Sequence, residues 1–232
     1  MENLYANEDS SRSYYVQKKS DFDRAHEIMH LMPSYAFYDK DKLDFTDVYY
    51  ETNDNFLKDM GVTLRVRKFK TKQIISVKYN DALIEKQNEI TRQNIYEQEM
   101  EASDSLFSQD NLLFVEDKLN VIFGGKLQMD ILHKLRQLKE VYLVKTKRKS
   151  YEVVHNSGLR ADVFFDEVLY TNRLKSIDYS DLILELNMTS IGTKINKQLF
   201  EEFVNKLREK LILIPMEESK YEAAILYTRF KK

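Results

Sequence analysis

Between positions 62 and 79 the chain alternates so strictly that a β-hairpin is the natural way to fold it. Val62, Leu64 and Val66 fall on one side and Thr63, Arg65 and Arg67 on the other, which is the two-residue period of an extended strand. A polar turn at Thr71 and Lys72 leads into a second strand over 74–79, with Lys78 near its end. Upstream, 47–51 reads as another strand. It is broken by Thr52-Asn53-Asp54-Asn55, because Asn and Asp bond their own backbone in turns and helix starts. A short segment over 56–60 follows, and Gly61 closes it. One strand face thus carries two arginines, and the neighbouring strand adds a lysine. Such a row has two readings. The commoner is a solvated outer face; the other is an inward face that grips an anion, since guanidinium forks match phosphate oxygens.

Composition narrows the classes. Five Gly and two Pro in 232 residues, with 43% hydrophobic content, describe a folded chain of one large domain. Net charge is −2, from 36 basic and 38 acidic residues, so no global field points to nucleic acid or a membrane and neither partner is expected. The absence of Cys removes disulfides, thiol catalysis and thiolate zinc sites together. No secretory apolar core opens the chain and no apolar run is long enough to span a bilayer, so a cytoplasmic protein is expected.

The chain reads as a polar, flexible terminus over 1–12 and a single domain over 13–232. A strand is predicted over 13–19, then a helix capped by Ser20 or Asp21, with its stripe at Phe22, Ala25, Ile28, Met29 and Met32. Pro33 stops it, and a short strand over 35–38 and a charged turn over 39–44 follow. After the central hairpin, 83–92 reads as a strand ending at Arg92, and Glu97, Glu99 and Glu101 alternate. Residues 105–140 read as a helical insertion broken at Gly124-Gly125. Strands are predicted over 141–150 (Lys145, Lys147, Arg148), 151–155, 159–169 and 181–188 (Glu185), and helices over 193–211 and 220–230. This order lacks the strand–helix alternation of a parallel sheet. It predicts an α+β fold: an antiparallel barrel of about eight strands, closed or nearly closed, with a polar interior and flanking helices.

The hairpin region resembles the CYTH family, the triphosphate tunnel enzymes that include thiamine triphosphatases and class IV adenylyl cyclases. Tyr49, Tyr50, Thr52, Asp54, Leu57, Gly61, Leu64, Arg65, Arg67 and Lys78 match that family's pattern, with Glu51 where Asp is usual. Arg148 in the strand after the insertion, Asp166-Glu167-Val168 and Ser219-Lys220-Tyr221-Glu222 match later landmarks. The resemblance implies a tunnel in which Arg65, Arg67, Lys78, Arg92, Arg148, Lys19 and Lys220 hold phosphates while wall carboxylates hold Mg²⁺ or Mn²⁺.

The sequence departs from the family at those carboxylates. The first strand should supply E-x-E-x-K. Aligning on Lys19 puts Tyr15 and Gln17 at the glutamates, and aligning on Lys18 puts Tyr14 and Val16 there. In the last strand Glu185 remains, but Ile183 stands two residues earlier; Asn94 stands where an acid often follows Arg92. Asp166 and Glu185 are the remaining metal candidates. The expectation is therefore a tunnel left more cationic by lost acids. It would bind a triphosphate, polyphosphate or nucleotide with weak or absent hydrolysis, and Mg²⁺ or Mn²⁺ is allowed but not required. The alternatives are a metal-dependent triphosphatase or cyclase drawing on Glu97, Glu99, Asp166 and Glu185, and a barrel kept as a scaffold for protein contacts. Glu97, Glu99 and Glu101 otherwise read as a solvated face. His26 and His30, at i and i+4, read as surface or packing residues because no third ligand is near.

Overall fold

The structure is a computed structural model and describes residues 11–80, 93–125, 131–190 and 192–229. Its strands are β1 (Ser11–Val16), β2 (Tyr35–Glu51), β3 (Val62–Lys68), β4 (Lys72–Asn80), β5 (Gln93–Glu101), β6 (Lys139–His155), β7 (Arg160–Asn172), β8 (Ile177–Met188) and β9 (Leu213–Pro215). The helices are α1 (Lys19–His30), α2 (Phe56–Asp59), α3 (Gln109–Ile122), α4 (Ile131–Leu135), α5 (Lys194–Arg208) and α6 (Lys220–Arg229). The strands form one sheet in the order β5-β4-β3-β2-β6-β7-β8-β1-β9, and every recorded pairing is antiparallel. The edges, β5 and β9, do not pair with each other, so the sheet is tunnel-like without being closed. None of the described helices is long and apolar enough to cross a membrane.

Alternation gives this sheet two faces with different cores. On the outer face, α1 and α5 cover β1, β7 and β8, burying Phe22, Met29, Phe165, Leu184, Phe200 and Phe203. Each such side chain contributes about 1.5–3 kcal/mol on burial. Helices α2, α3 and α4 cover the outer side of β2, β3 and β4 through Leu57, Leu64, Ile75, Val115 and Leu135. The inner face holds a third, smaller core in which Ala223 and Ala224 of α6 meet Tyr49, Val144, Val168, Tyr170 and Ile183. Tyr221 stacks on Tyr49 with ring centroids 4.8 Å apart. Helix α6 therefore occupies the concave side while the other helices insulate the convex one.

Several elements differ from the sequence expectation. The charged stretch 39–44 is no turn. It lies inside the 17-residue β2, which stays paired to β6 through a register shift between Asp39 and Lys42. A distant partner strand satisfies this backbone, and that tertiary pairing overrides the local turn preference. The strands expected over 141–150 and 151–155 are likewise one strand, β6. The expected helical insertion gives way to β6 at Lys139. Ser11 and Arg12 are not part of a frayed terminus, since they pair with Asn187 and Leu186. β1 ends at Val16, and α1 begins at Lys19, where the Lys18 N–H donates to Asp21 at 3.2 Å. Ser20 thus lies within the first turn and does not cap it. The strand expected over 83–92 falls outside the described residues.

Candidate functional site: an ion-paired inner face

The turn before the arginine strand is built by Glu51 and Thr52. The Glu51 carboxylate accepts the backbone N–H groups of Thr52, Leu57 and Lys58 at 2.8, 3.0 and 2.8 Å. The Thr52 hydroxyl accepts that of Phe56 at 2.9 Å. Two side chains thereby satisfy N–H groups that open the short helix α2. Asn55 and Gly61, at φ 57° and 69°, complete the reversal, and Gly61 suits a left-handed position that a Cβ disfavours. The chain then enters β3 with Arg65 and Arg67 on the inner face.

Register decides what these arginines meet. Asp47 of β2 lies directly opposite Arg67 and takes its guanidinium as a fork, Nε to Oδ1 at 2.7 Å and Nη2 to Oδ2 at 2.9 Å. Arg65 approaches the same carboxylate at 3.8 Å and donates to the Ser76 hydroxyl at 2.9 Å and to Glu97 at 3.3 Å. Burial alone would raise the Asp47 carboxyl; hydrogen bonds and charge from Arg67, with help from Arg65 and Lys220, hold it below the usual carboxylate value.

A second cluster repeats the design one strand pair away. Arg148 of β6 faces Asp166 of β7 and forks onto it at 2.8 and 2.7 Å, while Nη2 also donates to Glu185 at 2.7 Å. Lys220, at the start of α6, donates to Asp166 at 2.7 Å. Asp166 is completely buried. Desolvation opposes its charge, but Arg148 and Lys220 outweigh it and hold the carboxyl down. The clusters meet over Phe45, whose ring lies 4.2 Å from the Arg67 guanidinium carbon and 5.7 Å from that of Arg148.

Lys78 differs from these cations. It stands on β4 across from Thr63 and makes no ion pair within the described residues. Burial, then the charges of Arg65 and Arg67, lower its pKa to about 8. Two further polar atoms beside the clusters have no hydrogen-bond partner, Arg65 Nε and Thr146 Oγ1. Buried polar atoms are satisfied in most folded proteins, so these two stand out beside the clusters.

Of the predicted site residues, Arg65, Arg67, Lys78, Arg148 and Lys220 share this inner face, and Asp166 and Glu185 join them. Arg92 lies outside the described residues. Lys19 does not join. It sits beyond the end of β1, at the start of α1, and pairs with Glu167 at 2.6 Å. Its side chain is 64% exposed, on the sheet face opposite Asp166. The first strand turns Ser13 and Tyr15 inward, across from Glu185 and Ile183, while Tyr14 and Val16 are buried in the outer core. The inner face is also less cationic than expected. Asp47, not among the residues expected at the site, turns inward, and Glu97 stands on the same side with its side chain still 49% exposed, as a solvated face would have it. Asp47 could have been found by carrying the alternation back from Tyr49. Among the described residues the cations Arg65, Arg67, Lys78, Arg148 and Lys220 thus share this face with the acids Asp47, Glu97, Asp166, Asp181 and Glu185, so its charge is close to balanced.

A divalent metal fits these residues poorly. Both oxygens of Asp47 and of Asp166 already accept from cations. Glu185 spends one oxygen on Arg148 and the other on Asn187, and Glu97 Oε1 accepts from Ser76 and Arg65. Among the described residues no three His, Asp or Glu side chains are grouped to hold an ion. His26 and His30 come within 3.1 Å of each other on the exposed side of α1, without a third ligand.

Comparison with known proteins agrees with this architecture. No curated protein sequence matches the chain. A putative adenylate cyclase from Bacillus halodurans superposes with a TM-score of 0.51 at 17% identity, covering 99% of this chain and 98% of that one. A protein from Pyrococcus horikoshii gives 0.48 at 17% identity, with 95% and 99% covered. A putative adenylyl cyclase from Hippeastrum, described as having a dominant triphosphatase activity, gives 0.47 at 15% identity, with 94% and 95% covered. The model of the CYTH domain matches residues 14–220. With the hairpin motif, the tunnel-like sheet and that match in agreement, the chain belongs to the CYTH domain family.

Proposed function

We propose that the inner face binds a small polyanion of the triphosphate or polyphosphate class without requiring a divalent metal, and turns it over weakly or not at all. The observation that carries this reading is Lys78, which makes no ion pair among the described residues, beside the half-satisfied Arg65 on a face that also carries Arg67, Arg148 and Lys220. A phosphate oxygen placed there would favour the charged form of Lys78, meet the positive charge of Arg65 and draw on Lys220. The ion pairs of Asp47 and Asp166 hold Arg67 and Arg148 in fixed orientation, so little ordering remains to be done on binding.

Weak turnover follows from what the walls lack. Phosphoryl transfer depends on neutralising the transferring oxygens and aligning a nucleophile, and the inner-facing positions of β1, Ser13 and Tyr15, carry no acid for either task. Loss of one well-placed group of that kind costs on the order of 10²–10³ in rate.

Titration calorimetry with sodium tripolyphosphate tests the proposal. Comparable affinity with and without Mg²⁺, falling steeply with salt, is the expected result. Lys78→Ala should weaken binding by about tenfold, or about 1.4 kcal/mol. A strict Mg²⁺ requirement, or brisk phosphate release that Glu185→Gln abolishes, would instead assign a metal-dependent triphosphatase or cyclase. Failure of tripolyphosphate, thiamine triphosphate and ATP to bind would leave the barrel as a scaffold.

A further inference from the structure

Two histidines on the outer side of the sheet take no part in the inner face. Helix α1 carries the run His26-Glu27-Ile28-Met29-His30, the H-E-x-x-H spacing that sets two imidazoles one turn apart on one side of a helix. Phe22, Ala25 and Met29 of the same helix are buried against the sheet, so the helix is pinned. The histidines flank that buried stripe, His26 half-buried and His30 exposed.

Their geometry goes beyond the spacing. The two Nε2 atoms lie 3.1 Å apart, closer than the ring centroids at 4.4 Å, so these nitrogens occupy the facing sides of the rings. A metal ion about 2.0–2.1 Å from each would subtend roughly 95–102° between them. That value falls between the square-planar and tetrahedral angles. Both rings are also supported by strand residues. His26 packs on Tyr151 with centroids 5.1 Å apart, and His30 on Phe37 at 5.5 Å. Phe37 and Tyr151 belong to the paired strands β2 and β6, which fixes the backbone behind each imidazole. A neutral pair can share one N–H between the two nitrogens, whereas an ion uses both lone pairs at once.

We propose that His26 and His30 form a two-point site for a divalent transition-metal ion of the Zn²⁺ and Cu²⁺ class, with solvent in its remaining positions. The peptidase chemistry that this spacing accompanies in other proteins is not assigned. It needs a third protein ligand, and among the described residues no third His, Asp or Glu is grouped with the pair. The surrounding charge selects the kind of ion. The cleft that His26 lines carries Lys19, Lys42, Lys147 and Lys149 against Asp23, Asp44 and Glu167, so it offers a cation no net attraction. Hard ions such as Mg²⁺ and Ca²⁺ rely on charged oxygen ligands and gain little there. Ions that bond imidazole nitrogen rely on that field far less. The site does not depend on the reading of the inner face.

Titration calorimetry of the full chain with Zn²⁺ and with Cu²⁺, in buffer free of polyphosphate, tests the site. One saturable event is expected, tighter for Cu²⁺ than for Zn²⁺, and Mg²⁺ should not compete. His30→Gln should weaken binding by at least about tenfold. Electron paramagnetic resonance of the bound Cu²⁺ should show two imidazole nitrogens in the parent and one in the variant. His30 is exposed, so thermal melts of the metal-free parent and variant should coincide. His133 and His155 remain in the variant. Binding that His30→Gln leaves unchanged therefore places the ion elsewhere and overturns the proposal. A single-nitrogen spectrum in the parent, displacement by Mg²⁺, or the absence of saturable binding also overturns it and leaves the pair as packing residues.

Discussion

Replacing Asp47 by Asn should move two measurable quantities in opposite directions. Asp47 is fully buried and anchors Arg67 by a two-point fork, with Arg65 3.8 Å away. Removing one partner of a buried ion pair costs about 3–5 kcal/mol. Two features lower that figure here. The Arg67 side chain is 24% exposed, and the substituted amide keeps an oxygen that accepts one guanidinium N–H. A loss of about 2–3 kcal/mol results, which for a chain of this length corresponds to a drop in melting temperature of roughly 4–12 °C. The same substitution releases the Arg67 guanidinium and removes one negative charge from the inner face. Affinity for tripolyphosphate should therefore rise by about tenfold, and the anion should restore much of the lost thermal stability through mass action. Thermal melts in phosphate-free buffer, with and without tripolyphosphate, together with calorimetry, read both quantities. Because the folded carboxyl is held below 3.8, its contribution is present above that value and lost as pH falls through the depressed folded value. Parent and variant should thus converge in stability in acid and differ near neutrality. Unchanged stability near neutrality, or weaker anion binding in the variant, would refute the view of Asp47 as an internal counter-ion competing with ligand.

Lys78 gives a pH signature of its own: its folded pKa of about 8 lies below the ordinary 10.5, so the unfolded chain holds more protons between these values and stability should rise with pH there, an increment that Lys78→Met removes in pH-dependent urea titrations. Tripolyphosphate binding near pH 8 should take up a proton at Lys78, visible as a calorimetric enthalpy that changes with buffer ionisation heat and loses that dependence in Lys78→Met. Glu51→Gln weakens the capping of α2 and should cost about 1–2 kcal/mol in urea unfolding, with no inner-face cation touched. Ser13→Glu with Tyr15→Glu places two acids inward beside Glu185, and should create saturable Mn²⁺ binding in calorimetry that exceeds any shown by the parent.

The alternation of β3 and β4 was legible because side-chain facing on a strand is a local, two-residue property. Arg65, Arg67 and Lys78 could therefore be assigned to one side from their neighbours alone. The Asn55 and Gly61 reversal was equally local, set by residues that tolerate positive φ. What those cations face was decided elsewhere in the chain. The counter-ion of Arg67 lies 20 residues away and that of Arg148 lies 18 away, each brought opposite only by the register of a neighbouring strand. Register likewise turned Glu97 inward and drew the charged 39–44 stretch into β2. The end of β1 at Val16 sent Lys19 to the outer face. The sequence by itself determined the period of each strand and hence which residues share a side. Only the tertiary structure decided which sides meet, because strand pairing satisfies backbone hydrogen bonds between segments whose local sequences carry no record of each other.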